Sequence, residues 1–307
     1  MRKPRALRSG DRISLVAPAS TFRRDEFEAG VVELRRLGYE PVYDDRIFER
    51  KSYLAGSPET RAQAWREAWT DPSTAALIAV RGGFGSVHLL PLLHESEIRD
   101  NPKIFVGYSD NTSLLIWLTL YCGLVSFHGP MIEGRFARGP EGYDRGSFLR
   151  VLATNAPAGE MTHPHVQVLR RGEASGMLIG GTLTQLLASL GTPYVFAPPP
   201  GHVLFIDETA ERPYKIDRML TQLRLSGILA RASAIVFNEL PGCEEPSGAP
   251  SVASVIADCL ADFPGPVLFG LPSGHTPGPT LTLPFGVAAR VVASDVPALI
   301  IEEAAVS

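Results

Sequence analysis

A serine set between a strand and a helix is the first place in this chain where chemistry could sit. Residues 104–106 form a short apolar, partly β-branched run, and Leu114, Leu115, Trp117 and Leu118 follow at helical spacing. Between them stands Gly-Tyr-Ser-Asp-Asn at 107–111, which puts Ser109 on the turn. Such a turn lifts a hydroxyl above the end of a sheet and aims the first helical N–H groups at whatever binds there. That is the physics of a nucleophile elbow, with part of the oxyanion site supplied by the N–H of the next residue, Asp110. Asn111 occupies the place of the second glycine of G-x-S-x-G. The competing reading is that Ser109 simply caps a buried helix.

A serine nucleophile needs a base, and the base needs an orienting acid. Of seven histidines, His88 and His94 lie in or beside an apolar helical stretch, and His163, His165 and His202 lie in linker or turn sequence. His128, before Gly129-Pro130, and His275, inside PSGHTPGP, remain as bases. The second sits in a loop rich in turn residues after a short strand, a favoured home for catalysis. For the acid, Asp207 and Glu208 close an apolar strand, and either carboxylate could hold an imidazole in its working tautomer. The chain order Ser…Asp/Glu…His is the one α/β-hydrolases use. RGGFG at 81–85 lacks the spacing of a dinucleotide loop. It is either a plain tight turn or a second oxyanion donor, with the Gly83 N–H turned to the serine.

The elements that must position these residues alternate. Strands are expected at 12–17, 41–43, 75–80, 104–106 and 125–128, with helices at 25–37, 58–70 and 87–93. Continuous apolar strands between helices indicate a parallel sheet covered on both faces. From 153 to 176 periodicity fades, and we read a link between an N-terminal α/β domain, 1–155, and a C-terminal mixed α/β domain, 165–307. In the second domain, strands are expected at 203–206, 234–237 and 267–269 and a helix at 216–226. The tail from 280 onward alternates like antiparallel strands closing that domain.

Composition narrows the function. With 307 residues, 45% hydrophobic and 20% charged, the chain is ordinary globular material. A net charge of −4 carries no basic stripe for nucleic acid. Three scattered cysteines offer neither a disulfide frame nor zinc-ligand spacing. No apolar run reaches membrane-spanning length and no secretory pattern opens the chain, so a cytoplasmic location is expected.

Six blocks, RGGFG, FVGYSDNTSLL, FHGPM, IGGTLTQLLASLGTPY, LFIDETAERPYKIDRMLTQL and GLPSGHTPGPTLTLPFG, resemble in order the LD-carboxypeptidases of serine peptidase family S66, which also includes microcin C immunity peptidases. The resemblance implies a class I glutamine amidotransferase-like N-terminal domain, a C-terminal mixed domain, a site between them, and a homodimer. It implies a Ser-Glu-His triad: Ser109 as nucleophile, His275 as base and Asp207 at the acid position, where the family has Glu, with Glu208 as the alternative. Gly83 and Asp110 would form the oxyanion hole. No metal or organic cofactor is implied. The implied reaction releases terminal D-alanine from murein tetrapeptides in peptidoglycan recycling. Two alternatives stand beside it. One is cleavage of an aminoacyl-nucleotide antibiotic, which would need an aromatic clamp from Phe84, Tyr108 or Trp117. The other is a non-catalytic small-molecule binder. Arg81 could meet a substrate carboxylate or act as a structural strut.

Overall fold

The apolar runs become two sheets. The computed structural model describes residues 1–307. In the first sheet, Arg12–Val16 (β1), Glu40–Val42 (β2), Thr74–Ala79 (β3), Ile104–Gly107 (β4) and Ser126–His128 (β5) lie in the order β5-β4-β3-β1-β2, all parallel. The helices between them obey local rules. Ser57 caps Pro58–Thr70 by accepting from the Thr60 N–H at 3.1 Å, with proline at the first helical position. One turn apart on its buried face, Trp65 and Trp69 stack at 4.6 Å against the sheet. Helix Arg24–Arg36 buries Phe27, Val31 and Leu34, a single stripe at helical spacing.

Eight strands form the second sheet: Pro157–Met161 (β6), Gln167–Arg170 (β7), Gly172–Thr182 (β8), His202–Asp207 (β9), Ala232–Phe237 (β10), Val267–Phe269 (β11) and, past Leu283–Phe285 (β12), Ala288–Ala293 (β13) and Ala298–Ala304 (β14). β8, β9, β10 and β11 run parallel, and the remaining pairings are antiparallel. β12 leaves this sheet and joins the first, antiparallel to β5. The stretch of chain carrying His275 therefore starts from one sheet and ends in the other.

Several sequence expectations change here. Residues 153–176 are not a structureless link: β6, β7 and the start of β8 occupy them. Their partners, β14 and β11, lie far along the chain, and their surfaces are partly exposed, so no apolar period marks them. The tail does not close one domain only, because β12 is given to the first sheet. Ser86–Leu92 is a 3₁₀ helix that contains Pro91, and the helix after Ser109 loosens into a π turn at Trp117–Tyr121. Such π turns recur near functional sites.

The core explains how the sheets are held. On β9, Val203 and Phe205 belong to the large core shared with the first sheet, whereas Leu204 and Ile206 belong to a second core beneath helices Pro213–Leu225 and Val252–Cys259. β10 divides in the same way, Ala234 and Val236 against Ile235 and Phe237. The period of two continues past the core: position 207 points where 203 and 205 point, toward the first sheet.

Candidate active site

The carboxyl ends of both parallel strand sets meet at one place, where open α/β sheets put their ligands. Ser109 follows β4 in a left-handed conformation, φ +62°, which a non-glycine side chain adopts only under constraint. Four hydrogen bonds hold the turn around it. Asn111 donates its side-chain amide to Arg81 O at 3.2 Å and Tyr108 O at 3.3 Å. Asp110 accepts from the Ser86 N–H at 2.7 Å, while the Ser86 hydroxyl donates to Asp110 O at 2.6 Å. Burial pushes the Asp110 carboxyl above the usual range, opposed by the Ser86 bonds. Gly82 lies against the serine, where an added Cβ would stand 2.7 Å from Ser109 Cβ and 2.9 Å from Oγ. Room for the Asn111 side chain comes from Gly107, where an added Cβ would stand 3.0 Å from Asn111 Cβ. Gly83, next to Gly82 and at φ +91°, is exposed in the cavity wall, and its N–H meets no protein acceptor.

Asp207 ends β9 fully buried and receives four donors. Oδ1 accepts from Asn238 Nδ2 at 2.5 Å and the His275 N–H at 2.9 Å; Oδ2 accepts from His275 Nδ1 at 2.8 Å and Thr182 Oγ1 at 3.0 Å. Burial alone would raise this carboxyl, but the His275 charge and imidazole hydrogen bonds overcome it and hold the group well below the usual range. For His275, burial pulls down and the Asp207 carboxylate pushes up; the net shift is upward. Glu208 points the other way, capping the helix at Leu183–Ala188: its Oε2 accepts from the Thr184 N–H at 2.9 Å and hydroxyl at 2.7 Å. Burial raises its carboxyl. Between the two acids, strand alternation brings Asp207 to the imidazole.

The loop carrying His275 passes directly against Asp207. A Cβ on Gly274, at φ +76°, would stand 2.7 Å from Asp207 Cγ and 2.6 Å from His128 Cε1. No other residue could pass there. The loop is held from behind by Arg135, which is buried. Its guanidinium donates to Gly274 O at 2.7 Å, Thr276 O at 2.9 Å and Gly278 O at 3.1 Å.

Ser109 and His275 both line a cavity of about 460 Å³ with Tyr108, Gly82 and Gly83. Two ion pairs form its charged wall, Arg81–Glu133 at 3.0 Å and Arg23–Glu26 at 3.0 Å. Ser109 Oγ makes no direct hydrogen bond to His275, a separation common before substrate arrives. Of the aromatic residues weighed in the sequence, Trp117 is buried in the core and cannot clamp a ligand; Phe84 is 43% exposed beside Gly83. His128 is fully buried and lies outside the cavity wall, so it cannot take a proton from Ser109. Sequence reasoning missed Thr182, Asn238 and Arg135. Asn238 had a signal, a polar residue directly after an apolar strand as Asp207 is. Thr182 is seen only once β8 is registered on β9, and Arg135 carried no pattern.

A cavity at the seam of two sheets, walled by a constrained serine and by a histidine bound to a buried carboxylate, has the build of a hydrolase site. The family models agree: residues 13–129 match the LD-carboxypeptidase N-terminal domain and 175–291 match its C-terminal domain, so the chain belongs to the LD-carboxypeptidase family, Peptidase S66. A Bacillus subtilis protein named "Probable murein peptide carboxypeptidase" is 32% identical over 309 residues, covering 99% of this chain and 95% of that one. The microcin C7 self-immunity protein MccF of Escherichia coli is 30% identical over 301 residues, covering 88% and 86%. The solved structure of wild-type apo MccF superposes with a TM-score of 0.92 at 25% identity over 100% of both chains. A muramoyltetrapeptide carboxypeptidase from Oxalobacter formigenes matches with a TM-score of 0.84 at 29% identity, covering 95% and 99%.

Proposed function

We propose that the protein is a serine carboxypeptidase that releases terminal D-alanine from murein tetrapeptides by cutting the amide on an L-configured diamino acid centre. The observation that carries this reading is the His275 Nδ1–Asp207 contact at 2.8 Å, beside the cavity that Ser109 shares. Asp207 fixes the proton on Nδ1, which leaves Nε2 free to take the Ser109 proton as Oγ attacks the carbonyl carbon. The Gly83 and Asp110 N–H groups receive the developing oxyanion. The imidazolium then protonates the leaving amine, and water releases the acyl group by the reverse sequence. A tetrapeptide end presents carboxylates and, at the diamino centre, an ammonium group. The alternating Arg81, Glu133, Arg23 and Glu26 wall offers partners of both signs. The family resemblance extends the reading to a cytoplasmic homodimer acting in cell-wall recycling; light scattering of the purified protein tests the dimer.

The test is D-alanine release from a purified muropeptide tetrapeptide by wild type, Ser109→Ala and His275→Ala. Release abolished in both variants supports the assignment. No release by the folded wild type overturns the substrate.

One observation favours a second substrate class, an aminoacyl-nucleotide such as the aspartyl sulfamoyl adenosine bound in a solved MccF structure. Tyr53 and Phe84, 58% and 43% exposed, pair at 6.1 Å beside Gly83, and exposed aromatic rings can stack on a base. Cleavage of that compound without D-alanine release would move the assignment there.

A further inference from the structure

The carboxylate of Asp207 has a second imidazole beside it that the reaction above does not use. His128 ends β5, fully buried, with its ring 5.1 Å from Phe205 and 5.5 Å from Phe285. Nδ1 lies 3.1 Å from Ser273 Oγ, whose hydroxyl donates to Leu281 O at 2.9 Å, a carbonyl that the Thr280 hydroxyl also reaches at 3.4 Å. Nε2 has no hydrogen-bond partner and lies 3.8 Å from Asp207 Oδ2. A bare Nε2 would set its lone pair against those of a carboxylate in a dry site, two acceptors with nothing between them. A protonated Nε2 turns the same contact into an attraction, and Ser273 meets a bare Nδ1 by turning its one hydroxyl proton from Leu281 O, which Thr280 Oγ1 also reaches, to the ring.

We propose that His128 is a positioning residue for the acid: its Nε2–H is directed at Asp207 Oδ2 and holds that carboxylate against His275. The inference rests on the serine reading for its consequence in catalysis, although the contact itself does not. Gly274 packs against both partners, so a shift of His128 reaches the base loop directly. The ionisable groups facing His275 are Asp207, Arg135 and Tyr108, with Glu239 behind Thr276, the two ion pairs across the cavity, and the Glu208 charge acting from the far side of β9. Of these, Asp207 is the one bonded to the imidazole. Removing the Nε2–H leaves the Asp207 charge more fully to His275, which then holds its proton to higher pH.

Two measurements test this. In histidine-labelled protein, two-bond proton–nitrogen spectra report whether each ring nitrogen carries hydrogen, with His128 assigned by its loss in His128→Gln. A hydrogen-bearing Nε2 at neutral pH is expected; a bare Nε2 overturns the proposal, whatever the substrate. The second is the pH dependence of Ser109 labelling by a small fluorophosphonate. There Oγ displaces fluoride, and its proton passes to His275 without any peptide. His128→Phe, close in shape and set among phenylalanines, should label about tenfold more slowly, with its acid limb displaced upward by about half a pH unit. His128→Gln, whose amide N–H falls near Nε2, should recover most of both. A His128→Phe limb that coincides with wild type overturns the catalytic role. If wild type is not labelled at all, the serine reading has failed, and the spectra alone decide the His128–Asp207 contact.

Discussion

Replacing Asp207 with asparagine keeps shape and volume and asks only what the charge and its acceptors do. All four partners of the carboxylate are donors, so an amide must turn its NH₂ toward two of them. If the NH₂ replaced Oδ1 it would meet the His275 backbone N–H, which cannot become an acceptor. It would also meet Asn238 Nδ2, whose oxygen is already engaged by the Glu208 and Leu240 N–H groups at 3.3 and 3.1 Å. If it replaced Oδ2 it would meet Thr182, whose hydroxyl can rotate to accept, His275 Nδ1, which can shed its proton, and, at 3.8 Å, His128 Nε2, whose proton can move to Nδ1 where Ser273 Oγ accepts it. The second orientation wins. The imidazole then rests with its proton on Nε2, the nitrogen that must receive the Ser109 proton. A resting enzyme in the wrong tautomer is expected to lose about 10⁴-fold in kcat, roughly 5 kcal/mol of transition-state stabilisation. KM should change far less, because Asp207 is buried beneath the cavity and touches no substrate. The assay is D-alanine release, with denaturant melts as the check on folding and Glu208→Gln as the control. Glu208 caps a helix away from the imidazole, so its variant should keep kcat within about threefold while losing about 1 kcal/mol of stability. A folded Asp207→Asn enzyme within tenfold of wild type, or a Glu208→Gln enzyme that falls further, would refute the assignment of the acid.

Four further outcomes are expected. The acid limb of kcat/KM should lie above pH 6.5, the ordinary histidine value, because the Asp207 charge raises His275 and the base works only when neutral; a limb below 6.5 would contradict it. The same raised group adds stability below pH 6.5 that is lost as pH climbs through its folded pKa, and unfolding followed across pH 6 to 9 should show the decline in wild type and not in His275→Ala. Ser109→Gly should be inactive yet more stable than Ser109→Ala by about 1 kcal/mol in urea melts, since glycine alone accepts φ +62° without strain. Arg135→Met strips donors from three loop carbonyls and should cost about 3 kcal/mol in stability, with kcat falling because His275 is no longer held.

What the chain states locally and what it states only when folded divide along the site itself. The turn at Ser109 was legible because its signal is contiguous: an apolar run, a short polar turn and a helical stripe. So was β9, and with it the pair Asp207 and Glu208. The choice between that pair was already written in the strand's period of two. Val203 and Phe205 face the first sheet, and position 207 continues that side, whereas 208 continues the side of Leu204 and Ile206. Using this required knowing that both faces of β9 are buried and which face meets the serine. That is a fact of sheet packing that an all-apolar run does not display. Strands at 157–161 and 167–170 were hidden for a related reason. Their partners lie at the far end of the chain, and half-exposed edge strands carry little apolar pattern. Arg135 and Thr182 were invisible because their roles are defined wholly by neighbours distant in sequence. Gly274 makes the dependence explicit. In the sequence it is one turn residue among several; in the fold it is the only side-chain-free point at which the loop passes Asp207 and His128. A glutamate at 207, one methylene longer, is expected to push against Gly274 and displace the His275 loop, so that Asp207→Glu releases D-alanine more slowly than wild type; a variant as fast as wild type would contradict this.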